Sequence, residues 1–289
     1  MILVTGASGF VGRNLVKKLV KKEKIRCLVR HTSNTRQLKG TELFYGNMLD
    51  KESLFKATKD VSMVIHLVAV IGSADYKLNF ETHVTGAKNL IEACKKNRVK
   101  RVIVISTTST LAKIRNNYGT TKAMADQLFA KSGLAITTIK PDFIYGKDGN
   151  GFIKLVDTIK KRPFMPSLGS GKYRKQPVHI DDVVAAIINA MNKKFIGKTY
   201  IVASEKPIEI DTMIKMIMKR LGIKKPIIHI PIKFLLAASY VMKMKKNPLL
   251  TKTVVLGLSQ DCVYDVQPLI KELKVIPRSF EDGLKEVLN

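Results

Sequence analysis

The sequence begins with the stretch Ile2-Leu3-Val4-Thr5-Gly6-Ala7-Ser8-Gly9-Phe10-Val11-Gly12, which decides the fold. Its first four residues are mainly apolar and β-branched, a pattern typical of a buried strand. Glycines follow at every third position. After them, apolar residues recur at helical spacing with lysines on the opposite face, as in Val11, Leu15, Val16, Leu19 and Val20. The stretch therefore predicts a strand, a tight turn and an amphipathic helix.

Each glycine of this turn has a distinct physical role. Gly6 permits the sharp turn, Gly9 lets the backbone approach a pyrophosphate, and Gly12 lets helix and strand pack closely. The helix N-terminus adds amide donors and a partial positive charge, both of which favour phosphate. We therefore predict a dinucleotide-binding turn, lined also by Ser8, Phe10 and Val11.

Strand and helix patterns alternate from residue 1 to about residue 145, which predicts an α/β fold: a doubly wound parallel Rossmann sheet covered by helices. Strands are expected at Met1–Thr5, Lys24–Val29, Leu43–Tyr45, Val61–Val70, Arg101–Ser106 and Ala135–Lys140, with helices at Thr85–Lys96 and Lys122–Lys131. The alternation then gives way to a loop-rich segment, Gly146 to Pro177. Residues beyond Pro207 look mainly helical, and the last helix is expected to begin at Ser279, with Asp282 completing a capping box.

These patterns predict two units. Residues 1–145 plus 178–205 would form the NAD(P)-binding domain, and residues 146–177 plus 206–289 a small, mainly helical substrate lobe. In Rossmann folds, an acidic residue at the end of the second strand selects NAD, whereas an arginine suits the 2′-phosphate of NADP. Here the second strand is followed by Arg30 and no carboxylate. We therefore expect NADP to be preferred over NAD.

Tyr118 and Lys122 are separated by three residues, so on a helix both side chains lie on one face. A tyrosine acts as an acid or base near neutral pH only if nearby positive charge stabilises its phenolate. Lys122, together with an oxidised nicotinamide, would supply that charge. The hydroxyl run Ser106 to Ser109 ends the fifth strand, and within it we expect Thr108 to polarise the substrate oxygen, with Ser106 and Thr107 as its neighbours.

The GxxGxxG turn and the YxxxK pair resemble the extended short-chain dehydrogenase/reductase (SDR) superfamily, the NAD-dependent epimerases and dehydratases. The likeness is close to about residue 205 and loose beyond it. Further landmarks resemble the family at Gly46–Asp50, Ile65–Ala69, Pro141–Gly146 and Val178–Val183. The resemblance implies cofactor contacts from Asn47 and Met48 at the adenine, from Leu67, Val68 and Ala69 along the cofactor, and from Tyr118, Lys122, Pro141 and Ile144 at the nicotinamide.

Within the superfamily, Phe80–Gly86 with its His83, the short interval from Thr108 to Tyr118, and Lys175–Val178 resemble the subgroup related to the SDR-like accessory subunit of respiratory complex I. Sugar-nucleotide enzymes of the family typically place Asn where this chain has Phe143, and Arg where it has Lys175. The neighbouring Arg174 offers partial compensation. We therefore assign Phe143, Arg174 and Lys175 to the substrate site and expect a less polar ligand than a nucleotide sugar.

Three functions remain open. The first is a reductase or dehydrogenase that uses Thr108, Tyr118 and Lys122. The second is a sugar-nucleotide epimerase or dehydratase that retains its cofactor. The third is a non-catalytic structural or assembly protein that holds a cofactor. His83 and His179 have no partners at metal-ligand spacing, so no metal site is predicted.

The chain is strongly basic: 51 Lys and Arg against 23 Asp and Glu give a net charge of +28. The lysines are spread along the chain, which favours solvated helix faces over a nucleic-acid site. An anionic membrane surface is the alternative, and the segment Lys233–Lys246 mixes apolar and basic residues as an interfacial helix does.

Three cysteines without paired spacing and a strand starting at residue 2 predict a cytoplasmic protein, with possible peripheral membrane contact. The oligomeric state is left open.

Overall fold

The first strand pairs on both sides within a parallel seven-stranded sheet. The computed structural model describes residues 1–242 and 251–288. In that part of the chain the strands are β1 Ile2–Thr5, β2 Ile25–Val29, β3 Glu42–Tyr45, β4 Met63–His66, β5 Arg101–Ile105, β6 Ile136–Pro141, β7 Ile144–Tyr145, β8 Met165–Leu168, β9 Arg174–Lys175, β10 Val178–His179, β11 Thr199–Val202, β12 Ile208–Glu209 and β13 Ile227–Ile230. The central sheet has the order β11-β6-β5-β4-β1-β2-β3, which confirms the predicted Rossmann class.

Helices cover both faces of this sheet. They are α1 Phe10–Leu19, α2 Lys51–Ala57, α3 Tyr76–Phe80, α4 Gly86–Lys96, α5 Asn117–Ala130, α6 Asn150–Lys161, α7 Ile180–Asn189, α8 Ile210–Arg220, α9 Ile232–Met242, α10 Lys252–Leu258, α11 Gln267–Lys271 and α12 Phe280–Val287. A π-helical turn, Glu81–Thr85, joins α3 to α4. No helix within the described ranges is long and apolar enough to span a bilayer.

The two faces of the sheet pack into separate apolar clusters. One lies under α1 and α7 and includes Leu15, Val16 and Ile187; the other lies under α2, α4 and α5 and includes Leu90 and Phe129. These strands are buried on both faces, which explains their nearly continuous apolar sequence. The covered sheet leaves only its carboxyl edge for a site, as in other open α/β folds.

A third cluster forms away from the sheet, from α6, α8 and α12 around Phe152, Ile217 and Phe280. Helix α6 lies in the segment expected to be loop-rich. Phe152, Val156 and Ile159 recur at helical spacing on its buried side, a signal that the surrounding glycines obscured. The last helix is confirmed: Ser279 caps α12 by accepting a hydrogen bond from the Asp282 amide at 3.1 Å.

Two further boundaries differ from the expectation. β4 covers Met63–His66, fewer residues than the predicted Val61–Val70, because the chain leaves the sheet after Leu67 donates to the Thr5 carbonyl at 3.0 Å. Helix α5 begins before Lys122, since the Asn116 side chain accepts from the Gly119 amide at 2.9 Å and caps it. Tyr118 and Lys122 therefore lie on one helix.

Candidate active site

The glycine-rich turn has the geometry that its spacing predicts. Gly6 has φ +75°, a left-handed conformation suited to glycine. A Cβ added at Gly6 would lie 2.9 Å from the Leu67 carbonyl carbon, and one at Gly12 would lie 2.6 Å from the Ala7 oxygen. Neither position accommodates a side chain without displacing backbone. The turn is therefore held tightly between β1, α1 and the end of β4.

The first turn of α1 presents free amides at this turn. Gly9 is the N-cap and brings no capping side chain, and no acidic residue lies in the first turn. The first intrahelical bond runs from the Arg13 amide to the Gly9 carbonyl at 2.9 Å, so the preceding helical amides have no intrahelical acceptor. These donors, with the positive end of the helix dipole, fit the pyrophosphate of a dinucleotide.

The other residues predicted to contact the cofactor border the same edge of the sheet. Leu67, Val68 and Ala69 follow β4 and are partly exposed. Met48 is buried, and its Cβ packs where a side chain at Gly86 would lie. The Asn47 side chain accepts from the Leu49 amide at 2.8 Å, so it shapes the turn next to the predicted adenine position.

Arg30 lies directly after β2, and its side chain is exposed. Its backbone closes a turn: the Arg30 amide donates to the Ser33 hydroxyl at 3.1 Å, and the Ser33 amide donates to the Arg30 carbonyl at 2.9 Å. Among the described residues its guanidinium has no hydrogen-bond or ion-pair partner. It is therefore available to a phosphate at this strand end.

Tyr118 and Lys122 lie one helical turn apart at the carboxyl edge of β5. Lys122 is buried, and its Nζ donates to the Ile105 carbonyl at 2.8 Å. Burial lowers the pKa of Lys122 to about 8, against the opposing charge of Asp126. Burial also raises the pKa of Tyr118 to about 12. The lowering of the Tyr118 pKa expected from Lys122 is therefore not seen among the protein's own groups: burial raises this pKa, Thr107 acts to lower it, and the charge of Asp126 raises it further. Tyr118 is a neutral phenol, and so a proton donor, at neutral pH.

The two threonines after β5 face different partners. The Thr107 side chain acts to lower the Tyr118 pKa, while its hydroxyl donates a hydrogen bond to Ser109 Oγ at 3.2 Å. Thr108, the residue selected from the sequence, donates its hydroxyl to Asp142 Oδ1 at 2.8 Å. The structure therefore brings Thr107, Tyr118 and Lys122 together and turns Thr108 toward Asp142.

His83 links the segment after β4 to α5, the helix that carries Tyr118. Its Nε2 accepts from the Val70 amide at 2.9 Å, so Nδ1 carries the proton and faces the Thr121 hydroxyl at 2.8 Å. Burial, followed by the charge of Lys122, lowers the His83 pKa to about 3, so the ring is neutral. Its edge meets the Tyr118 ring at a centroid distance of 5.6 Å. His83 is therefore a neutral ring with both nitrogens hydrogen-bonded, and it packs against Tyr118 in a structural role.

A cavity of about 380 Å³ opens beside Thr107. Its apolar wall comes mainly from the C-terminal half of the chain: Ala112, Ile114, Phe143, Ile210, Met213, Val254, Gly257 and Leu258. Its polar lining is Thr107, Thr108, Ser109, Arg115, Asn116, Asp142, Lys175, Cys262 and Tyr264. Two of the predicted substrate residues, Phe143 and Lys175, thus line the same cavity as Thr107 and Thr108.

The third predicted substrate residue, Arg174, is placed differently. Its guanidinium binds the Asp261 carboxylate at 2.6 and 3.0 Å, and it does not contribute to the cavity lining. The Lys175 Nζ donates to the Gln260 carbonyl at 2.8 Å and to Cys262 Sγ at 3.1 Å. A lysine ammonium has three donors, so one remains for a polar group of a ligand.

The predicted residues near the nicotinamide also lie at this edge. Pro141 ends β6 and is buried, while Ile144 is partly exposed and begins β7. Between them Asp142, which was not singled out from the sequence, accepts from Thr108 and from the Gln176 amide at 3.0 Å. Burial raises the pKa of the Asp142 carboxyl. The sequence pointed to Asp142 only through its position between Pro141 and Phe143, two residues predicted to lie at the site.

Known proteins of similar sequence are enzymes. The chain is 25% identical over 262 residues, covering 82% of this chain and 78% of the relative, to a 4-hydroxy-2-methyl-3-oxo-4-farnesyl-3,4-dihydroquinoline-1-oxide ketoreductase from Stigmatella aurantiaca. It is 26% identical to a UDP-N-acetyl-alpha-D-glucosaminuronate decarboxylase from Bacillus cytotoxicus, with 99% and 96% of the two chains covered.

Solved structures agree with the fold. The dTDP-glucose 4,6-dehydratase DesIV from Streptomyces venezuelae, solved with NAD bound, matches with a TM-score of 0.82 at 19% identity, covering 99% of this chain and 95% of the other. The family model described as NAD dependent epimerase/dehydratase matches residues 2–203. With the glycine turn and the Tyr118–Lys122 pair at one sheet edge, this match shows that the chain belongs to the NAD dependent epimerase/dehydratase family.

Proposed function

We propose that the chain is an NADPH-preferring reductase that acts on a carbonyl group of a largely apolar substrate. One observation carries the proposal: Thr107, whose side chain acts to lower the Tyr118 pKa, lies at the wall of a cavity whose accessible surface is mostly apolar. The similarity to a ketoreductase whose named substrate carries a farnesyl chain supports it. Phe143 and Lys175, at positions typically Asn and Arg in sugar-nucleotide enzymes, argue against a nucleotide sugar.

The protein's own groups divide the work of such a reduction. When bound, the nicotinamide cofactor supplies the hydride. On substrate binding the Thr107 hydroxyl turns from Ser109 Oγ and donates its hydrogen bond to the substrate carbonyl, and Tyr118 transfers its phenolic proton to that oxygen as it becomes an alcohol. The Lys122 ammonium, held by the Ile105 carbonyl, stabilises the phenolate that remains.

The substrate proposal is tested by the loss of NADPH absorbance with three probes: a long-chain methyl ketone, a steroid ketone and UDP-glucose. We expect turnover with an apolar ketone and neither turnover nor tight binding with UDP-glucose. Phe143→Asn should weaken ketone turnover, because it places an amide on the apolar wall. Tight binding of UDP-glucose alone would favour the sugar-nucleotide alternative. NADPH binding without turnover of any probe would favour the non-catalytic alternative.

The proposed NADPH preference rests on Arg30. Charge-assisted hydrogen bonds to phosphate are strong, so Arg30→Ala should weaken NADPH binding by roughly tenfold or more and leave NADH binding unchanged. Arg36→Ala removes the same charge from the same exposed loop and serves as the control. Binding is followed by nicotinamide fluorescence, since the chain has no Trp. Equal affinity for both cofactors in wild type and Arg30→Ala would refute the preference.

A further inference from the structure

Helix α9 presents an apolar face to solvent. The side chains of Phe234 and Tyr240 are 70% and 79% exposed. Ala237 and Ala238 are exposed as well and follow Phe234 at the spacing that places residues on one helical face. Surface helices of soluble domains normally turn polar residues outward. Exposed apolar side chains grouped around a lysine, as on this face, mark an interaction surface.

The inner side of α9 connects this face to the candidate site. α9 packs against α10, and three residues of α10, Val254, Gly257 and Leu258, line the apolar wall of the cavity. Leu258 is itself 52% exposed. The exposed face therefore lies one helix away from the substrate cavity.

The positive charge around this face favours an anionic partner. Lys233 lies in the first turn of the helix and is exposed. Lys243, Lys245 and Lys246 continue the sequence, although they lie outside the described residues. The whole chain carries +28, which opposes docking of a second copy and attracts an anionic surface. Aromatic and aliphatic side chains flanked by lysines bind at the headgroup boundary of anionic bilayers.

We propose that α9 docks on an anionic lipid bilayer, with Phe234 and Tyr240 inserted among the headgroups and Lys233 facing the lipid phosphates. Since α10 separates this face from the cavity, docking holds the cavity close to apolar molecules dissolved in the bilayer. The proposal concerns a binding surface and does not depend on the reductase activity.

The test is sedimentation of the full chain with two kinds of vesicles, phosphatidylcholine alone and phosphatidylcholine mixed with phosphatidylglycerol. The wild type should bind the anionic vesicles, and added salt should weaken this binding. The double variant Phe234→Glu/Tyr240→Glu should bind the anionic vesicles roughly tenfold or more weakly. It removes the two inserted rings and adds negative charges that the anionic lipid repels.

A matched control is Ile71→Glu/Ile276→Glu, which makes the same change in charge at residues that are 83% and 76% exposed elsewhere. This control should also lose affinity, but clearly less than the α9 variant, and both variants should keep the wild-type NADPH affinity. Absence of wild-type binding to anionic vesicles would overturn the proposal. So would equal binding by the two double variants, because charge alone would then explain it. Dissociation of a wild-type dimer by the α9 variant, without vesicle binding, would assign the face to a second copy.

Discussion

Thr107 and Thr108 are neighbours in sequence but have different partners in the fold. Thr107 has extended backbone angles, φ −161° and ψ 151°, and a 3₁₀ turn begins at Thr108. After this change of conformation the Thr107 hydroxyl donates to Ser109 Oγ and the Thr107 side chain acts on the pKa of Tyr118, whereas the Thr108 hydroxyl donates to Asp142. The run of four hydroxyl residues predicted that a polarising hydroxyl lies here. The sequence favoured Thr108 for this role, but the turn directs the Thr108 hydroxyl to Asp142, a contact that the sequence pattern alone does not predict.

The roles of Thr107 and Thr108 can be distinguished by replacing each with valine, which is similar in shape and lacks the hydroxyl. Thr107→Val should lower kcat by roughly a hundredfold, since it removes the donor to the reacting oxygen. Thr108→Val should mainly lower stability, by about 1–3 kcal/mol, because Asp142 loses a donor. Steady-state kinetics and urea unfolding measure the two effects. A larger loss of kcat in Thr108→Val would restore the assignment made from the sequence.

Lys122 should set the alkaline limit of the reaction. Burial lowers its pKa to about 8, so its charge is present below that pH and is lost as pH rises through it. Tyr118, with a pKa near 12, stays protonated over the same range. We therefore expect kcat/KM for reduction to be level near neutral pH and to fall above about pH 8. A rate that stays level to about pH 10 would show that Lys122 does not carry this role.

At the scale of elements, the junction of β1 and α1 is the most tightly constrained. Gly12→Ala brings a methyl group against the Ala7 carbonyl, so α1 must move away from the turn. We expect weaker NADPH binding together with lower stability. Gly151→Ala is the control, because its new methyl group would lie 3.4 Å from the Phe143 ring in ordinary contact. Nicotinamide fluorescence and thermal unfolding measure the outcome. Unchanged NADPH affinity in Gly12→Ala would argue against phosphate binding at this turn.

Sequence patterns predicted most of the strands and helices of the sheet but missed one helix outside it. The alternation of apolar strands and amphipathic helices predicted the parallel sheet, because its central strands are buried on both faces. Helix α6 was missed, since Gly149 and Gly151 at its start and Pro163 after its end concealed the helical spacing of its buried residues. The resemblance to the complex I accessory subgroup, carried by His83 and by Lys175–Val178, stays a prediction.

At the scale of the whole molecule, contacts distant in sequence build the cavity. Phe143 and Lys175 were predicted to face the substrate, and both line it. Cys262 and Tyr264 complete the same wall from a part of the chain where the family resemblance is loose. The predicted division into two units also stays a prediction. Leu269, Leu273 and Val275, assigned to the substrate lobe, pack into the core cluster of the sheet.

The central claim is that Tyr118 supplies the proton for reduction of an apolar carbonyl. The most direct measurement is single-turnover oxidation of bound NADPH by a long-chain ketone, comparing the wild type with Tyr118→Phe. We predict that Tyr118→Phe binds NADPH as tightly as the wild type and oxidises it at least about a hundredfold more slowly. Equal rates in the two proteins would contradict the assignment of Tyr118 as the proton donor and, with it, the proposed mechanism.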